Sequence, residues 1–169
     1  MSFNLKKTVL LLSLVLSWTF AGSQDINKLR RVDSLVQVIN KTRFKVKTDS
    51  TVQNIPGIGF YLINDVTMYT SDTELKKYVN KVKTLQKSDS TSSRMESFNI
   101  FYFDKNKLIK VEEIMIENNE MHHIDWYYSN DDLLYSSMET ENTAQRKDLL
   151  LAMAKGIVDK IVLTNKIIQ

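Results

Sequence analysis

Between Ser97 and Glu139 the chain repeats one pattern four times: an extended run rich in aromatic and β-branched residues, then a very short polar connection. The runs are Ser97 to Phe103, Leu108 to Glu117, Met121 to Tyr128 and Leu133 to Glu139. They are joined by Asp104-Lys-Asn-Lys107, Asn118-Asn-Glu120 and Ser129-Asn-Asp-Asp132. A parallel crossover needs a dozen or more residues, so connections this short force neighbouring strands to pair antiparallel. Tyr102-Phe-Asp-Lys-Asn-Lys-Leu-Ile109 and Tyr127-Tyr-Ser-Asn-Asp-Asp-Leu-Leu134 echo each other, which reads as one hairpin design used twice.

Upstream the extended character persists. Ile58 to Ile63 and Val66 to Thr70 flank Asn64-Asp65, which the pattern predicts as a two-residue hairpin turn. Leu75 to Leu85 also satisfies a helical spacing, but its Tyr and Val content favours a strand. Gln86 to Arg94 is polar and Ser-rich and reads as a loop. Phe44 and Val46 alternate with Arg43, Lys45 and Lys47, giving a half-buried strand with a basic outer row, and Pro56-Gly57 interrupts the chain after it.

The two ends are helical in pattern. Ile26, Leu29, Val32, Leu35 or Val36, and Ile39 recur at three- and four-residue spacing over Asp25 to Asn40, with Asp25 suited to the positive end of the helix dipole. From about Thr143, behind Asn142 as a cap, Leu150, Met153 or Ala154, Ile157 and Ile161 form a second apolar stripe. The predicted fold is α+β: an antiparallel meander sheet of about six or seven strands, flanked by an N-terminal and a C-terminal helix.

Residues 1–23 carry a different signal. Lys6 and Lys7 precede an almost unbroken apolar run from Thr8 to Phe20, and Ala21-Gly22-Ser23 supplies small residues at a cleavage site. The run is shorter than the roughly 20 residues of a membrane span, so it predicts an export signal cleaved after Ser23 and one domain over 24–169. No later segment is apolar for long enough to cross a bilayer. With Lys6 and Lys7 removed, the 23 basic residues fall to 21 against 20 acidic ones, too balanced for general nucleic-acid binding. Cysteine is absent, which excludes disulfides, thiol catalysis and thiolate metal sites. A cysteine-free exported domain with a core this size suits a bacterial envelope.

The order signal, helix, basic strand, Pro56-Gly57 break and hairpins of the type Tyr102-Phe-Asp-Lys-Asn-Lys-Leu-Ile-Lys-Val111 resembles exported domains of Bacteroidota-type bacteria. The resemblance implies an envelope address and a helix-flanked antiparallel sheet. It brings no active-site residue with it.

Candidate chemistry is sparse. His122 and His123 are the two histidines and, adjacent on a strand, point to opposite faces. His123 and Asp125 share a face, with Glu113 or Glu117 expected across from them, a thin metal site at best. The bland alternative, a solvated polar face, outweighs it, and no cofactor is expected. Glu112-Glu113 and Asp131-Asp132 diverge or lie in a turn, so neither makes an acid/base pair. The aromatic clusters say more: with Phe98, Phe101 and Phe103, the residues Tyr102, Trp126, Tyr127 and Tyr128 must populate both faces of the sheet. One set packs under the helices, and the other is a possible binding surface together with Arg43, Lys45 and Lys47. The leading expectation is a non-catalytic envelope or secreted module binding a protein, peptide or glycan through its sheet. The alternative is a small ligand-binding or hydrolytic domain with a cleft between sheet and helices.

Overall fold

Each short connection is a two-residue turn whose residues both adopt left-handed backbone. In the computed structural model, which describes residues 25–55, 60–72, 74–87, 92–139 and 141–167, φ is 51° and 59° at Lys105 and Asn106, 50° and 67° at Asn118 and Asn119, and 53° and 70° at Asn130 and Asp131. These are type I′ values, whose twist matches that of the flanking strands. Asn and Asp reach this region at low cost, and Lys105 does so with less help.

The turns build one seven-stranded antiparallel meander: β1 Lys45–Ile55, β2 Phe60–Ser71, β3 Glu74–Lys87, β4 Ser92–Asp104, β5 Lys107–Glu117, β6 Glu120–Ser129 and β7 Asp132–Ser136, in that order across the sheet. Helix α1 covers residues 25–41 and α2 spans Thr143–Ile167. The expected α+β class is therefore found, and Leu75 to Leu85 is strand. Residues 1–23, read as an export signal, and Pro56-Gly57 lie outside the described residues.

Three expectations need correction. Gln86, Lys87 and Ser92 to Arg94, read as loop, are strand residues paired between β3 and β4. Asn64 and Asp65 are not a turn but lie mid-strand in β2, opposite Thr51 and Ser50. Asp65 is held there by the Ser50 hydroxyl at 2.6 Å and Lys83 at 3.8 Å, so cross-strand partners override the turn propensity of the dipeptide. Arg43 precedes β1, so only Lys45 and Lys47 of the basic row share a strand face.

The hairpin echo has a third member. In β2–β3, β4–β5 and β6–β7 the pairing slips by one residue just past the turn, leaving Lys76, Ile109 and Leu134 as bulges. The segments Tyr69-Thr-Ser-Asp-Thr-Glu-Leu-Lys-Lys77, Tyr102-Phe-Asp-Lys-Asn-Lys-Leu-Ile-Lys110 and Tyr127-Tyr-Ser-Asn-Asp-Asp-Leu-Leu-Tyr135 thus superpose in design. Each starts on Tyr, keeps Leu seventh, and sends its eighth residue out of register.

The helices pack on opposite faces rather than on one. Leu150 and Ala154 of α2 bury against Leu75, Phe101, Phe103, Leu108, Val111, Trp126 and Tyr128. Val32, Val36 and Ile39 of α1 bury against Tyr102 and Tyr127. The bulges serve this arrangement, because Leu108 and Leu133 face α2 while the bulged Ile109 and Leu134 turn to α1. Both cores sit near the ends of the strands that carry the 105–106 and 130–131 turns. The other halves of β2 to β4 are half-buried on either face, and β1 is exposed along the residues whose side chains are described.

Candidate functional site: a pocket on the α2 face

Pleat parity and register align the α2 face in rows. Val66, Asn80, Asn99, Glu113 and Ile124 stand opposite one another across β2 to β6, and Asn64, Val82, Ser97, Met115 and His122 form the next row. Where these rows pass beyond the start of α2 they form the floor of a pocket of about 400 Å³. Met115, Ile124, Trp126 and Met138 supply its apolar lining, while Ser97, Asn99, Glu113, His122, Asn142 and Arg146 supply the polar atoms; Phe98 and Ile114 border it from strand positions whose side chains point to the other face.

Glu113 organises the wall. Trp126 donates its indole N–H to Oε2 over 2.8 Å, and Arg146 Nε lies 3.1 and 3.2 Å from the two carboxylate oxygens. The second guanidinium nitrogen of Arg146 also donates to Oε1. This bidentate pairing holds Arg146 above its ordinary pKa. Asn142 positions Arg146 by accepting its backbone N–H at 2.9 Å in the first turn of α2. Of the two rows, Glu113 carries the only carboxylate, and Arg146 neutralises it. The pocket is thus an uncharged, largely apolar seat with amide and hydroxyl groups at its rim.

Ser97 and His122 both line the pocket, but Met115 stands between them in the row. Two strand spacings, roughly 9–10 Å, put them out of hydrogen-bond reach, so they do not form a nucleophile and base. Glu113 has its oxygens committed to Trp126 and Arg146.

The α1 face holds a separate polar network. Tyr69, Lys77, Tyr102, Lys110, Tyr127 and Tyr135 stand opposite one another in a single row. The Lys77 ammonium lies 5.7 and 5.1 Å from the Tyr69 and Tyr102 rings, and that of Lys110 lies 4.9 Å from Tyr127. Lys110 is only 7% exposed, and its ammonium sits 3.0 Å from both Glu112 Oε1 and Asp125 Oδ1. Burial alone would lower its pKa, but the hydrogen bonds to Glu112 and Asp125 outweigh that and hold it well above the ordinary lysine value. Burial pushes Tyr102 and Tyr127 up to about 12. Helix α1 is tied into this network by Asn40, which donates to the Tyr102 hydroxyl and accepts from Lys77, and by Asp33, which accepts from the Tyr127 hydroxyl at 2.8 Å.

The residues singled out from sequence fall as follows. His123 Nε2 does lie 3.3 Å from Asp125 Oδ1. Glu113 faces away from them, however; Glu112 stands opposite Asp125, and the Lys110 ammonium takes the place a metal ion would need. The possible aromatic surface is corrected: Tyr102, Trp126, Tyr127 and Tyr128 are 2, 3, 8 and 1% exposed, because a helix covers each face. Arg43, Lys45 and Lys47 are exposed but stand on the far edge of the sheet from the pocket. Sequence reasoning missed Arg146, whose partner lies 33 residues away on another element. Glu113 was within reach of it, since strand alternation puts it on the face of Val111.

Protein-family models, curated proteins and solved structures contain no match to this chain.

Proposed function

We propose that this chain is an exported, non-catalytic binding module that receives an uncharged, apolar peptide segment of an envelope partner in the pocket on its α2 face. The observation that carries the reading is the lining. Met115 and Met138 are partly exposed at a pocket whose single ion pair is internally satisfied. Flexible thioethers adapt to varied apolar side chains, and an uncharged floor penalises a charged ligand. A sugar would want open aromatic faces for stacking, and Trp126, the aromatic ring on the pocket's own face, is 3% exposed and packed in the α2 core. The export reading rests on residues 1–23 and on the absence of cysteine.

Selection of short random peptides on the purified protein tests this. Uncharged peptides with a bulky apolar residue should be enriched. Met115→Arg, which projects a charge into the pocket from an exposed position, should abolish their binding without changing the melting temperature. Enrichment of charged peptides, or binding indifferent to Met115→Arg, would refute the reading.

A further inference from the structure

The outer edge of β1 is unpaired among the described residues, and it is long. At 11 residues it contrasts with β7, the opposite edge, which has 5. A short edge protects itself, whereas a long one offers a row of backbone donors and acceptors, of which the Ser50 N–H here is held by the Asp49 carboxylate at 2.9 Å. The edge also exposes two large apolar side chains, Val46 at 56% and Val52 at 65%, on the α1 face. Lys45, Lys47 and Asp49 lie on the α2 face.

We propose that two copies of this chain pair antiparallel through β1, with the two-fold axis at Thr48. A two-fold axis normal to the sheet keeps each face continuous, so residues of equal parity oppose one another and only a few registers are possible. An axis at Lys47 sets Lys47 against itself, and an axis at Asp49 sets Asp49 against itself. An axis at Ser50 leaves Lys47 opposite Gln53 and Asp49 opposite Thr51, with no charge matched. The axis at Thr48 alone places Lys47 opposite Asp49 of the second copy, twice over. The same register brings Val52 beside Phe44 of the second copy and Val46 beside Ser50, covering both exposed valines. The result is one sheet running through two copies, with both α2-face pockets opening on the same side.

Sedimentation and light scattering of the full chain test the pairing. The protein should be a dimer that weakens with added salt, since the matched charges are exposed. Lys47→Asp and Asp49→Lys each set like charges opposite one another and should weaken the dimer by roughly tenfold or more. The double exchange should restore it. All three variants lie on an exposed strand and should keep the wild-type fold by circular dichroism, the single reversals melting at most as much lower as the lost dimer contact accounts for. Because the chain contains no cysteine, Thr48→Cys should oxidise to a covalent dimer, and Val46→Cys should not. A monomer at millimolar concentration overturns the proposal. So does a dimer that ignores both single reversals, or one cross-linked through position 46 in preference to 48.

Discussion

The indole N–H of Trp126 donates to Glu113 across 2.8 Å, and this one bond joins the apolar core under α2 to the wall of the pocket. Trp126 is 3% exposed, so without Glu113 its N–H has no partner and no water. An orphaned buried donor costs about 1–3 kcal/mol. Glu113→Leu should destabilise the protein by that amount and release Arg146, whereas Glu113→Gln keeps an acceptor for the indole and should lose less. Urea denaturation of the two variants checks the order.

Alkaline pH should unfold this protein through buried tyrosines on both faces, since burial also holds Tyr128 on the α2 face well above the ordinary tyrosine value. Tyr102 and Tyr127 are pushed up to about 12, chiefly by burial, while an unfolded tyrosine titrates near 10. Between these values the unfolded chain holds fewer protons than the native one, so stability falls as pH rises. Each tyrosine contributes on the order of 2 kcal/mol to this loss. Lys110 acts in the same direction. Its native pKa is raised, so its stabilisation is complete below the unfolded lysine value and is lost as pH climbs past it. Melting temperatures measured from pH 8 to pH 12 should drop steeply above about pH 10. Tyr102→Phe with Tyr127→Phe should flatten the slope. A flat wild-type profile would show that these groups are not buried as described.

Much of the architecture was legible because hairpin length decides strand direction, and the type I′ turns at 118–119 and 130–131 carry the Asn and Asp residues that such turns select. Asn64-Asp65 misled for the same reason, since the turn signal is local and the ladder holding β2 straight is not. The opposite placement of the helices was illegible. Aromatic residues were expected on both faces, but nothing local in Tyr102 or Phe103 says that each lies under a helix of its own, α1 over Tyr102 and α2 over Phe103. Of the pocket, the strand residues followed from parity. Arg146 did not, because its role depends on where α2 begins relative to β5.

The turns themselves make a paired prediction. Asn106 and Asn119 occupy equivalent left-handed positions with φ of 59° and 67°, where glycine is the favoured residue. Asn119 is exposed at its turn, and Asn119→Gly should leave stability unchanged or raise it by a few tenths of a kcal/mol. Asn106 has a second task, accepting the backbone N–H of Leu75 at 2.9 Å across the neighbouring hairpin. Asn106→Gly should therefore cost about 1 kcal/mol despite the better turn residue. Thermal melts of the two variants should move apart, and equal shifts would mean that the Leu75 contact contributes nothing.

Helix α2 is a structural cover, not a detachable tail. Leu150 is fully buried and Ala154 is 2% exposed, with Ile157 and Ile161 continuing the stripe onto the core formed by Phe103, Leu108 and Tyr128. The Tyr128 hydroxyl also donates to the carbonyl of Lys147 at 3.2 Å, tying helix to sheet. Burying side chains of this size is worth roughly 1.5–3 kcal/mol each, against a total stability of about 5–15 kcal/mol for a domain. A carboxylate at position 157 would sit in that apolar contact without a partner, so Ile157→Asp should unfold the protein or drive it into aggregates. Two residues earlier on the helix, Lys155 faces outward and pairs with Asp131 at 2.8 Å, both side chains about half exposed. An exposed pair is worth about 0–1 kcal/mol, so Lys155→Asp should shift the melting temperature only slightly. Circular dichroism melts of the two variants decide the matter. If both keep the wild-type transition, α2 does not pack on the sheet; if Ile157→Asp yields a folded chain that no longer binds the selected peptides, the helix belongs to the ligand site rather than to the core.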